Sequence, residues 1–169
     1  MKSASRTRGF SLVELVIVVV IIGVIAAIAV PRISRGAKGA VEASVKGSLA
    51  GLRNAIDMFA AEHGGAFPGS YTGDVEADFI AQLTSKTNAS GVVGTTAGTH
   101  IYGPYLRSGV PPLQVGPNKG ANGVILTDAN PPVVAEGTVT AGWVYNYETG
   151  VIIANTDDED ESETGYDEY

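Results

Sequence analysis

Apolar residues fill residues 10–30 almost without interruption, from Phe10-Ser-Leu-Val-Glu-Leu through a Val/Ile run to Ala-Ile-Ala-Val30, with Glu14 the one charge inside it. As a helix rising ~1.5 Å per residue this stretch spans roughly 31 Å, the thickness of one hydrocarbon core. It can cross a membrane. Pro31 follows, and a proline within a helix removes a hydrogen bond and clashes with the turn before it, so a kink or local melting is expected there. Beyond it Val41, Val45, Leu49, Leu52, Ile56 and Phe59 recur every three or four positions, with Glu42, Lys46, Arg53 and Asp57 elsewhere around the helix. That spacing predicts an amphipathic helix running to Glu62-His63 and stopped by Gly64-Gly65. From Ser11 to His63 it would measure about 80 Å, too long for a compact domain of the remaining residues, so its first half must protrude.

The rest reads as a small head. Residues 74–83 form a short helix with Phe79, Ile80 and Leu83 on its apolar face, and residues 84–100, rich in Gly, Thr, Ser and Asn, form a loop. Tyr102-Gly-Pro-Tyr-Leu106 and Pro111-Pro112 are extended or turn segments. Three strands are expected, over residues 123–128, 138–147 and 150–155. In the middle one Val139, Ala141, Trp143, Tyr145 and Tyr147 alternate with more polar residues, as one buried face requires. Glu148-Thr149-Gly150 suits a hairpin loop with Gly in the left-handed position. The fold class is therefore α+β: a long N-terminal helix packed on a small antiparallel sheet.

A second stripe, Gly39, Ala43, Gly47, Gly51 and Ala55, recurs at every fourth position. It allows either close packing of the helix on its own sheet or close approach of a neighbouring subunit's helix. Gly36, Gly39, Gly47 and Gly51 each cost ~0.8–1 kcal/mol of helix propensity relative to Ala, which makes residues 31–39 prone to melt or stretch in a polymer.

Charge sharpens this picture. The 169 residues hold 11 Lys+Arg and 18 Asp+Glu, a net charge of −7. No charged side chain lies between Glu14 and Arg32, whereas eight acids crowd residues 157–169. The acid excess excludes a general nucleic-acid binder, and the lack of cysteine excludes thiol chemistry and Cys-rich zinc sites. Lys2, Arg6 and Arg8 precede the apolar run and would stay cytoplasmic, which places everything after Pro31 on the outer side.

Three readings of residues 1–30 compete. A secretory signal could be cut at Ala27-Ile28-Ala29, but its apolar stretch exceeds the usual ~7–15 residues and contains a carboxylate. A plain anchor gives no reason for Glu14, since a charge at the membrane centre costs at least ~2.5–3.5 kcal/mol on insertion scales. The third reading accounts for it. Arg8-Gly9-Phe10-Ser11-Leu12-Val13-Glu14 followed by an apolar helix resembles the processing signal of type IV prepilins and type II secretion pseudopilins. The resemblance implies cleavage by a membrane prepilin peptidase between Gly9 and Phe10, N-methylation of Phe10, and retention of the apolar helix. The new amine at Phe10 would lie one helical turn from Glu14. Glu14 of an incoming subunit could meet the Phe10 amine of its neighbour and set axial register, the assembly role that the resemblance implies. A protonated, unpartnered Glu14 is the alternative.

Leu52 to Pro68, ending Gly65-Ala66-Phe67-Pro68, resembles the helix end of major pseudopilins, and that family commonly has a proline near position 31. The resemblance implies homopolymerisation with other pilin-like subunits, an inner-membrane assembly platform and a single-pass inner-membrane precursor with its head outside the cytoplasm. The missing cysteine pair tilts the reading toward a type II secretion pseudopilin. A tethered binding module that never polymerises is the different-class alternative.

No catalytic constellation is present. GxSxG, phosphate-loop, HExxH and EF-hand patterns are all missing. His63 and His100 read as surface or loop-packing residues, and Tyr102, Tyr105, Trp143, Tyr145 and Tyr147 as core and hairpin packing. Asn88-Ala-Ser90 is a glycosylation sequon that arises often by chance. Residues 157–169 read as a solvated, disordered tail, with calcium binding as the alternative. Major pseudopilins hold a structural calcium near this end, but the tail lacks their spaced ligands. The expectation is an enzyme-free structural chain without a cofactor, calcium aside.

Overall fold

The computed structural model describes residues 10–70, 75–137 and 140–169, with the backbone alone over 30–37. Helix α1 spans Leu12–Glu62 and α2 spans Glu76–Thr84. Strands β1 (Gly123–Thr127), β2 (Ala141–Asn146) and β3 (Ile152–Ala154) follow, then a 3₁₀ turn at Tyr166–Glu168. The chain divides into two compact units, Met1–Ala40 and Val41–Tyr169. Residues 1–9, including the leader cations and Gly9, lie outside the described residues, as do Asp74, Thr138 and Val139 at the predicted starts of α2 and β2.

In the first unit α1 is helical without interruption through Pro31. The expected local melting is absent from the chain on its own, although Pro31 has no N–H for the Ala27 carbonyl. None of the window Leu12–Ala29 is buried. Each large apolar residue from Leu12 to Ile28 is at least 43% exposed.

In the second unit the amphipathic period of α1 is realised. Val45, Leu49, Leu52, Ile56 and Phe59 are no more than 1% exposed and share one core with Phe79, Leu83, Leu113, Trp143, Tyr145 and Ile152. The helix closes on Gly64 and Gly65, both at positive φ, with the Gly65 N–H donating to the Ala60 carbonyl at 2.8 Å. Buried aromatics keep their polar tips satisfied. Trp143 Nε1 donates to Pro111 O at 2.8 Å, and the Tyr145 hydroxyl to Pro68 O at 3.1 Å. Burial pushes the Tyr145 hydroxyl pKa far up, so it stays a donor at any ordinary pH.

The sheet order is β1-β2-β3, and it is mixed rather than antiparallel. β2 pairs antiparallel with β3, Tyr145 opposite Ile152, but parallel with β1, Val124 opposite Trp143. Alternation of apolar residues reports a face and not a direction. The connection from β1 to β2 has 13 residues, too long for a tight hairpin and long enough to cross over. The crossover is tied to the sheet by asparagines: Asn146 Nδ2 donates to Ala129 O at 2.7 Å, and Asn155 Oδ1 accepts the Ala135 N–H at 2.8 Å. All six residues of β2 are buried, not the one face expected, with Trp143 and Tyr145 in the core and Gly142 against Leu113 and Ala121. The β2–β3 hairpin turns at Gly150, φ +76°, where a Cβ would also strike the Phe67 ring at 2.4 Å.

The C-terminal residues are the main correction. Residues 157–169 form an ordered turn and not a disordered tail. Tyr166 is 8% exposed and joins the core, and its ring packs edge-on to Tyr169. Arg53 on α1 donates to Tyr169 O at 2.6 Å and Ile152 O at 3.2 Å, and Lys46 lies 4.3 Å over the Tyr169 ring. Charge composition argued for repulsion, but two aromatic anchors and a guanidinium outweigh it.

Tyr166→Ala should therefore destabilise the protein by about 3 kcal/mol, the scale of a buried aromatic truncation. Thermal melting of the full chain in detergent should show a fall of several degrees, whereas a disordered tail would show none.

Candidate functional site

The first turn of α1 is the place where the sequence concentrates its chemistry. The Leu15 N–H donates to Ser11 O at 3.1 Å, which makes Ser11 the residue that opens the helix. Glu14 turns back, its Oε2 accepting the Ser11 N–H at 3.4 Å. Phe10 precedes this turn, 78% exposed. Phe10 and Glu14 are thus brought to the same end of α1, while Gly9, the other half of the expected cleavage bond, lies outside the described residues. Pro31 is far along the same helix and takes no part in this turn.

The Ser11-Leu12-Val13-Glu14 spacing is that of a capping box, in which a carboxylate three residues on satisfies an orphan N–H. An acid in the first turn also meets the positive end of the helix dipole. This local use of Glu14 was legible as S-x-x-E, and it needs an acceptor oxygen but no charge.

A second surface lies on α1 in the head unit. The small-residue stripe does not pack on its own sheet. Ala43, Gly47 and Gly51 are exposed, and a Cβ built at Gly39, Gly47 or Gly51 would meet no atom within 4 Å. Only Ala55 is buried. Gly47 and Gly51 instead floor an open groove of about 450 Å³, walled by Ser44, Ser48, Leu106 and Pro111.

The remaining polar residues are structural. His63 is buried, stacked on Phe59, with Nδ1 2.7 Å from Phe59 O and Nε2 2.9 Å from Thr87 Oγ1. It ties the end of α1 to the loop after α2. His100 packs its ring against Gly94, and its buried Nδ1 has no hydrogen-bond partner among the described residues. Asn88 spends its Oδ1 on the N–H groups of Ser90 and Val92, so the sequon asparagine holds its own turn. Trp143 and Tyr145 are core residues, and Tyr105 and Tyr147 pack against that core.

Among the described residues no three His, Asp or Glu side chains are grouped to hold a metal ion. Within the acidic turn, Asp160 Oδ1 accepts the N–H groups of Ser162 and Thr164, and Oδ2 accepts the Tyr169 hydroxyl at 2.7 Å. The Tyr169 hydrogen bond first, then the Thr164 N–H, lower the Asp160 pKa below its ordinary 3.8. Its oxygens serve the fold.

Residues 4–30 match the family model of the prokaryotic N-terminal methylation motif. The match covers Arg6 and Arg8 of the leader, the glycine–phenylalanine junction, Glu14 and the apolar helix, and it marks this segment as a prepilin-type signal like that of type IV pilins and pseudopilins. No curated protein and no solved structure matches the chain.

A carboxylate lowered in the folded state contributes stability that is present above its unfolded pKa and lost as pH falls through its folded one. Asp160→Ala should accordingly melt below the parent protein at pH 6, and the gap should narrow as pH falls below 3.8. Circular dichroism melts across that range would check it.

Proposed function

We propose that the chain is the precursor of a pilin-like filament subunit, cleaved between Gly9 and Phe10, methylated on Phe10 and polymerised through α1. The methylation motif carries this reading, because it heads a helix whose apolar window has no cover within the chain. Such a helix needs lipid before assembly and other apolar helices afterwards. The precursor spans the inner membrane once, with its head on the outer side. Among filament types a type II secretion pseudopilus is favoured over a pilus by the Gly-x-Phe-Pro segment after α1 and by the absence of cysteine.

The processed amine at Phe10 would join a first turn where Glu14 already points back. In the apolar surroundings of a filament core an amine and a carboxylate each need a partner. Pairing between subunits satisfies both and fixes the axial step. The open small-residue face of α1 supports the same reading, since only residues this small let two helix backbones approach closely.

Glu14→Gln separates the cap from the charge. Gln keeps an acceptor for the Ser11 N–H and loses the anion, so the variant should be inserted and cleaved normally yet yield at least tenfold fewer filaments by electron microscopy and shearing assays. Glu14→Val should behave alike. Normal filaments from Glu14→Gln would leave only the capping role, and a tethered module that never polymerises would show no filaments in any form.

Gly47→Leu and Gly51→Leu should each leave the melting temperature unchanged or raise it, because nothing lies within 4 Å and each glycine costs ~0.8–1 kcal/mol in a helix. Both should reduce filament yield.

A further inference from the structure

Directly beyond its apolar stretch α1 carries Arg32, Arg35 and Lys38, one cation per turn, and the sequence has no acid between Glu14 and Glu42. The unbroken helix gives these positions a fixed depth. At ~1.5 Å per residue their Cα atoms stand about 5, 9 and 14 Å beyond Ala29 along the axis. A bilayer's polar layer is roughly 5–8 Å deep on each side of its hydrocarbon core. With Ala29 at the hydrocarbon edge, the Arg32 Cα falls at headgroup level, that of Arg35 at the outer limit of the layer and that of Lys38 about 6 Å past it, distances that side chains of this length can span.

The next acid along the helix is already engaged. Glu42, one turn after Lys38, is paired with Lys46 at 2.6 Å. Lys38 is exposed and makes no ion pair among the described residues. Three cations at one-turn spacing suit phosphate oxyanions, which guanidinium groups grip bidentately and an ammonium as a point charge.

We propose that Arg32, Arg35 and Lys38 form a collar that binds the phosphate groups of anionic phospholipids in the leaflet at the C-terminal end of the apolar helix. The collar holds the subunit at one depth in the bilayer. The inference rests on the membrane-spanning reading of Leu12–Ala29 and not on polymerisation.

The test uses the full chain reconstituted in phosphatidylcholine vesicles holding 30 mol% phosphatidylglycerol. Spin-labelled lipids report how many of each kind are motionally restricted by the protein. The parent chain should prefer the phosphatidylglycerol probe over the phosphatidylcholine probe by at least threefold, and the preference should shrink in 0.5 M salt. Arg32→Gln/Arg35→Gln/Lys38→Gln should lose at least half of it while keeping the parent's helical circular dichroism, the leader cations being common to both. Equal preference in parent and variant would overturn the collar. Substituting inorganic phosphate for chloride at equal ionic strength should change nothing; a preference abolished by phosphate alone would assign the band to free phosphate and overturn the lipid assignment. A chain that restricts neither probe would sink the membrane-spanning reading itself.

Discussion

The governing constraint is an imbalance of cover along a single helix. From Val45 to Phe59 one face of α1 is sealed by the sheet and its loops to 1% exposure or less, whereas from Leu12 to Ala29 the chain offers no cover at all. Burying apolar surface is the dominant favourable term in folding, at roughly 25 cal/mol per Å². A helix with an uncovered eighteen-residue window, apolar but for Glu14, cannot be an end state in water. Every other feature is arranged around it: a head that folds on the far half of the helix, and a first turn whose one carboxylate is already turned to the helix start.

The head itself hangs on β2. The strand is buried along its whole length: Trp143 and Tyr145 share the core with α1, Gly142 lies against Leu113 and Ala121, and Asn146 and Asn155 stitch the crossover from β1 to the sheet. These asparagines are fully buried and hydrogen-bonded, as buried polar groups must be. Arg53 then joins α1, β3 and Tyr169 through two carbonyls, so the acidic turn is held where its own charges would push it off.

Reading the sequence located most of this. The two halves of α1, its glycine stop, α2 and the β2–β3 hairpin follow from periodicity and from residues with special backbone needs, such as Gly150. What escaped it has common physical causes. Strand direction is invisible to alternation, so β1 beside β2 was read as antiparallel. Glycine and alanine carry no amphipathic signal, so the face occupied by Gly47 and Gly51 stayed open until the fold placed it. Charge density masked Tyr166 and Tyr169, two anchors in a segment otherwise read as repelling itself. In the first turn the sequence reading weighed Glu14 as an assembly residue and passed over its spacing from Ser11, which is the cap that a single chain expresses.

The position of Tyr166 also sets a schedule. A chain made from its N-terminus completes α1 long before residue 166 exists. At the usual ~5–20 residues per second, Arg53 waits on the order of ten seconds for Tyr169. Over that interval the head lacks part of its core, while the apolar half of α1 is already whole. On the membrane-spanning reading the helix finds its bilayer first, and the head closes last.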